Sequence, residues 1–170
     1  MTPWKTLIWQ QFGAAIDMLD NALRACPVQQ WRDSLWNDPT DGPEYTEIWL
    51  IVYHTLFWLD LYLTGGSRED FAPPAPFLAG SLPPQPYSKE ELQDYLLYCR
   101  RKCQTIFENL TDKKANRSCK FSWAEAVSFA ELQRYNMRHV QEHVSQQSLH
   151  LGLEAGSALD WVVRAGDTAV

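Results

Sequence analysis

A chain of 170 residues suits one domain, 1–170, around one sizeable hydrophobic core. Hydrophobic residues make up 45% and charged residues 21%, an ordinary globular balance, with an excess of rings in eight Trp, seven Tyr and seven Phe. The formal charge is -6 and the lysines and arginines are scattered, so no basic surface exists to follow a phosphate backbone and nucleic acid is excluded as a partner.

Thr2 followed by Pro3 is a helix-start signal, because the fixed φ of proline suits the first turn. Apolar residues then recur every three or four positions from Trp4 through Leu7, Ile8, Phe12, Ile16 and Leu19 to Leu23, predicting a first helix that ends near Cys26 before Pro27. Residues 27–44 read as an irregular connection, with Trp31, Leu35 and Trp36 tucked back onto the core. A second helix is expected from about Tyr45 to Thr64, stopped by Gly65 and Gly66. Its stripe of Leu50, Ile51, His54, Phe57, Trp58 and Leu61 carries a histidine in the middle of an apolar face.

Residues 65–87 hold six prolines and three glycines, which predicts a long crossing loop, either a passive crossover between bundle ends or part of a binding site. Ser88 with Glu91 forms a capping box for a third helix, whose buried face runs from Leu92 through Tyr95, Cys99, Cys103 and Phe107 to Leu110. Thr111 to Phe121 is polar and turn-like. Ser122 with Glu125 and Ser128 with Glu131 are two further capping boxes, so a short helical turn is expected before a fourth helix from about Ser128 to Leu151, capped by Gly152. A short helix is expected around Leu159 to Arg164. No strand-like alternation appears, and the class is all-α, a four-helix bundle with a long crossover loop.

The cysteines Cys26, Cys99, Cys103 and Cys119 contain no CxxC pair, so neither a zinc knuckle nor a redox motif is indicated. Cys99 and Cys103 share a helical face and read as core thiols. The most apolar stretch, Ile48 to Leu63, is short for a bilayer and carries His54 and Asp60. The N-terminus lacks the basic start, apolar run and cleavage site of a secretory signal. A cytoplasmic protein with reduced cysteines and no membrane partner is expected.

His139 and His143 lie four apart in RYNMRHVQEHVSQQ, about 40° apart on one helical face, where two imidazoles can converge on one ion. With Leu132, Tyr135 and Gln146 they form one stripe, at positions where a bundle helix should be apolar. Burying neutral imidazoles without partners costs about 1–3 kcal/mol for each unsatisfied group, and a metal shared with His54 removes that cost. His150 lies on the same stripe but about 10 Å farther along the axis, so it reads as a helix-end residue. Glu142, Gln146, Glu47 and Asp60 are candidates to hold the far side of an imidazole, and Trp58 and Tyr135 to line an access route.

YHTLFWLDLYL in the second helix, with RHVQEHVSQQ in the fourth, resembles the DinB/YfiT-like superfamily. By that resemblance His54, His139 and His143 match a metal triad and Gln146 the residue after the second spacing. The resemblance implies a four-helix bundle with a crossover, a zinc or nickel ion and a homodimer. It also implies a reaction on a small-molecule substrate: transfer of a low-molecular-weight thiol, a co-substrate, to an electrophile, or isomerisation or hydrolysis. Three nitrogen ligands leave a position open on the ion, the pattern of a catalytic site, where a thiol or water is activated. The alternative is a non-catalytic metal-binding protein or a dimeric scaffold that sequesters a ligand.

Overall fold

The computed structural model describes residues 3–37, 40, 42–79, 82–121, 124–156 and 159–166. Thr2 and Ser122 lie outside them. Four long helices carry the architecture: α1 (Pro3–Ala25), α2 (Ile48–Thr64), α3 (Lys89–Glu108) and α5 (Phe129–Ala155). Between the last two come a one-turn α4 (Asp112–Ala115) and a small antiparallel hairpin of β1 (Ser118–Phe121) and β2 (Ala124–Ser128).

Each of α1 and α2 packs against both α3 and α5, which places α1 diagonally across the bundle from α2. Ion pairs and ring contacts give the directions. Arg100 on α3 pairs with Asp17 on α1 at 2.6 Å, while Lys89 at the start of α3 reaches the carbonyls of Arg24 and Cys26 at the end of α1, so these two helices are antiparallel. Tyr87, just before α3, packs on Trp49 at the start of α2, whereas Lys102 pairs with Asp60 towards the end of α2. Helices α2 and α3 therefore run parallel. The loop 65–87 must return along the length of the bundle, and it is a true crossover.

The core is one continuous cluster in which Phe12, Ile16, Leu19 and Leu23 of α1 meet Leu56, Leu59 and Leu63 of α2 and Leu92, Leu96 and Phe107 of α3. Burying a side chain of this size contributes about 1.5–3 kcal/mol. All four cysteines are free and buried. Burial raises the Cys99 and Cys103 thiols well above the usual range, so both are inert packing groups.

Several expectations hold at their boundaries. Ser88 and Glu91 form the reciprocal capping box, at 3.1 and 2.7 Å. Gly65 ends α2 in the left-handed conformation with φ of +63°, and Arg117 donates to the adjacent Thr64 carbonyl at 2.6 Å, satisfying an end of α2 that lacks intrahelical donors.

Others are corrected. Pro43–Thr46 is a separate 3-10 turn, because Glu47 stays extended to pair with Ser34, and α2 starts at Ile48. The helical turn expected after Ser122 is instead β2, whose ladder to β1 offers Ala124–Ser128 a backbone partner. Helix α5 continues through Gly152 and is capped by Gly156, in the left-handed region at φ of +72°. Residues 159–166 form no helix. They lie along α1, with Ala165 N–H donating to the Gln10 carbonyl and Arg100 donating to the Gly166 carbonyl at 2.7 Å. Gly13 permits this approach, since a Cβ there would fall 2.6 Å from that of Ala165. Among the described residues no helix is long and apolar enough to cross a membrane.

Candidate metal centre

Helix α2 is buried almost all round, and from Ile48 to Leu63 the residues left half-buried are Leu50, His54 and Trp58, each four apart. These mark one narrow open edge. On α5 the fully buried line runs Leu132, Asn136, Val140, Val144 and Gln147, while His139, His143 and Gln146 lie half-buried beside it. The histidines therefore flank the core rather than interrupt it. Sequence periodicity placed them inside because α2 is apolar on every side, and the buried line of α5 includes polar residues that read as surface.

Two of those polar residues align the site. Gln133 donates to the Tyr62 carbonyl at 2.7 Å and Asn136 donates to the Leu59 carbonyl at 3.2 Å. Counting down α2 while counting up α5, the next level brings His54 against His139 and His143. The Nε2 atoms of His54 and His139 are 3.2 Å apart, those of His139 and His143 are 3.1 Å apart, and donor atoms of all three lie within 4.8 Å of one another.

The protons decide what this cluster fits. Gln146 Oε1 lies 2.8 Å from His143 Nδ1 and can only accept, so His143 carries its proton on Nδ1 and presents a lone pair at Nε2. Burial, reinforced by His143 and by Arg68, pushes His54 down to about 4. Burial, reinforced by His143 and His54, pushes His139 down to about 3. Both are neutral at ordinary pH. His139 has one proton and two imidazole neighbours, and its own buried Nδ1 finds no hydrogen-bond partner among the described residues. One proton cannot satisfy this set, whereas one cation accepts all three lone pairs. Two nitrogens bound tetrahedrally to one zinc would sit about 3.3 Å apart, close to the separations present. The residues fit a divalent metal.

A cavity of about 450 Å³ opens on His54 and His143, between α2, the crossover and the connection before α2. Its walls include Trp36, Tyr45, Phe57, Trp58 and Leu78, with Arg68 on the rim. Tyr53 donates to the Leu78 carbonyl while Leu78 N–H donates to the Tyr87 hydroxyl at 3.0 Å, so the crossover wall is clamped from both sides. The loop 65–87 is thus both a crossover and a wall of the cavity.

The other candidates fall in different places. Gln146 holds the far side of an imidazole as expected, and Trp58 meets His54 edge-on at 6.2 Å. Glu47 instead pairs with Arg32 at 2.9 Å and accepts from Trp49 at 2.6 Å, which lowers its carboxyl and pins the connection before α2. Asp60 is turned to α3, paired with Lys102 and accepting from Tyr95 at 3.0 Å. Glu142 is exposed, and Tyr135 packs on Tyr62 rather than in the cavity. His150 stands apart, 3.8 Å from Asp33. Arg68 and Tyr53 were not singled out by sequence: Arg68 stands in no motif, and YHTLFWLDLYL points to its histidine rather than to Tyr53.

No curated protein and no solved structure matches the chain. The sequence model of the DinB superfamily matches residues 11–146, a span that takes in α2, the crossover and all three histidines, and by that match this helical chain belongs to the DinB superfamily.

Proposed function

We propose that the protein is a metal-dependent enzyme that holds one divalent ion, zinc or nickel, on His54, His139 and His143. The ion would activate a small thiol or water for transfer to, or hydrolysis of, a small molecule. The observation that carries this reading is the convergence of three imidazole nitrogens, with two of the histidines, His54 and His143, lining a cavity large enough for a small substrate. A structural zinc site is closed by a fourth protein ligand, and the His, Cys, Asp and Glu cluster among the described residues has three members.

An ion held there supplies Lewis acidity, which lowers the pKa of a thiol or water that joins it. The chain does the rest. Burial keeps His54 and His139 neutral, so their lone pairs stay available. Gln146 fixes the tautomer and ring orientation of His143. The aromatic walls lower the local dielectric around the reacting groups, which strengthens every charge interaction there. A homodimer, implied by family resemblance, belongs to the same reading.

The test is turnover by zinc- or nickel-loaded protein, offered a panel of low-molecular-weight thiols with a fluorogenic alkylating agent and, separately, activated esters. The reading expects metal-dependent consumption above the buffer rate, abolished in the His139→Ala, His143→Ala double variant. Stoichiometric metal with no turnover of any thiol or ester would favour the non-catalytic, ligand-sequestering alternative.

A further inference from the structure

Among the described residues, the lining of the cavity beside the histidines carries permanent charge of one sign. The chain has a formal charge of -6, yet the described residues lining this cavity include no aspartate or glutamate and one permanent cation, Arg68. Apart from the two histidines, the remaining wall is aromatic or aliphatic, with Trp36, Tyr45, Phe57, Trp58 and Leu82 among its members. Among the described residues, the acids of an acidic chain lie outside the lining of this cavity.

Arg68 sits in the first turn of the crossover. Its carbonyl accepts from Phe71 N–H, and the Phe71 ring packs edge-on against Phe57 at 5.3 Å, which ties the turn to α2. The guanidinium carbon lies 5.4 Å from the centroid of the Trp58 ring, and Trp58 in turn contacts His54. One indole therefore separates the cation from the candidate metal centre. Nearby Asp70 is engaged by Ser67 at 2.7 Å, and no carboxylate among the described residues forms an ion pair with Arg68. A guanidinium resting on an aromatic face keeps its N–H edge for a planar anion, and that edge matches a carboxylate with two parallel hydrogen bonds.

We infer that this cavity takes a small carboxylate with an apolar or aromatic body, an assignment that rests on the metal-centre reading above and names its substrate class. Arg68 binds the carboxylate at the rim, the body lies against Trp58, Phe57 and Trp36, and the reactive end reaches His54 and His143. Arg68 is here a specificity residue. Its exposure means that water competes for the anion, so selection depends on the carboxylate and the apolar body binding together.

The test uses calorimetry on zinc-loaded protein with 2-naphthylacetate and its neutral counterpart, 2-naphthylethanol. The acid should bind about tenfold tighter than the alcohol. Arg68→Gln should erase that preference while leaving zinc content and affinity for the alcohol unchanged, and Arg68→Lys should retain part of it. An equal preference in Arg68→Gln, no preference in the wild type, or no binding of either probe would overturn the inference. A preference that survives Arg68→Gln but is lost in His139→Ala, His143→Ala would place the carboxylate on the metal, overturning the inference and leaving the metal centre intact. If the wild-type protein takes up no zinc, the metal reading fails by itself. An Arg68-dependent preference in that metal-free protein would still support the anion pocket, and its absence would overturn it.

Discussion

Asn136 on α5 donates its side-chain amide to the Leu59 carbonyl on α2 at 3.2 Å, fixing the register in which the two helices lie. Gln133 repeats the contact one level away, and the two carboxamides bond each other at 3.3 Å. Both side chains are fully buried. A slip of one turn would carry His139 and His143 about 5.4 Å along the axis and away from His54. Asn136→Leu is therefore expected to lower the stability of the metal-free protein by about 1–3 kcal/mol in urea unfolding. It should also weaken zinc binding in a chelator competition, although Asn136 touches no histidine. Unchanged zinc affinity would show that the register does not depend on this residue.

Metal-free protein should lose stability as the pH falls. His54 and His139 are held down to about 4 and about 3 in the folded chain and return to about 6.5 when unfolded. The unfolded state therefore binds more protons, so stability is full above about 6.5 and declines as the pH falls towards 3–4. Urea midpoints at pH 7.5 and pH 5.0 check the sign. His139→Ala should flatten the dependence, and a midpoint that rises on acidification would contradict the buried, neutral imidazoles.

Gly65 is needed twice over. Its φ of +63° strains any side chain, and a Cβ there would meet the Arg117 guanidinium that holds the end of α2. Gly65→Ala should cost more than about 1 kcal/mol in thermal or urea unfolding. An effect of a few tenths would mean that Arg117 moves aside freely.

Gln146 reaches the cluster through His143. Gln146→Leu keeps the bulk and removes the acceptor, so the imidazole loses its fixed tautomer. Zinc affinity is expected to fall by about 10–100-fold with little change in unfolding midpoint. Equal affinity in the two proteins would remove Gln146 from any role at the centre.

The sequence was most informative where local chemistry decides structure. The Ser88–Glu91 box, Pro27 after α1 and Gly65 after α2 each act within a few residues and are found where expected. The three histidines were legible from their spacing together with a family resemblance. Their depth was not, because Gln133, Asn136 and Gln147 occupy the buried line of α5 and a polar residue in a helical stripe reads as surface. The hairpin escaped because β1 and β2 are short and, in β1, Cys119 alone is buried, too little to show alternation. Gly152 misled because a helix packed along its length tolerates an internal glycine, while the left-handed turn falls at Gly156. Arg68 was invisible for another reason. A lone arginine in a proline-rich crossover has no period, and only the return of that loop across α2 brings it over Trp58.

The central claim is that His54, His139 and His143 together hold one divalent ion. Elemental analysis of protein purified without a histidine tag, beside the His139→Ala, His143→Ala double variant, tests it most directly. Near-stoichiometric zinc or nickel in the first and little in the second is the predicted result. Equal metal in both proteins, or none in either after reconstitution with zinc and nickel, would contradict it.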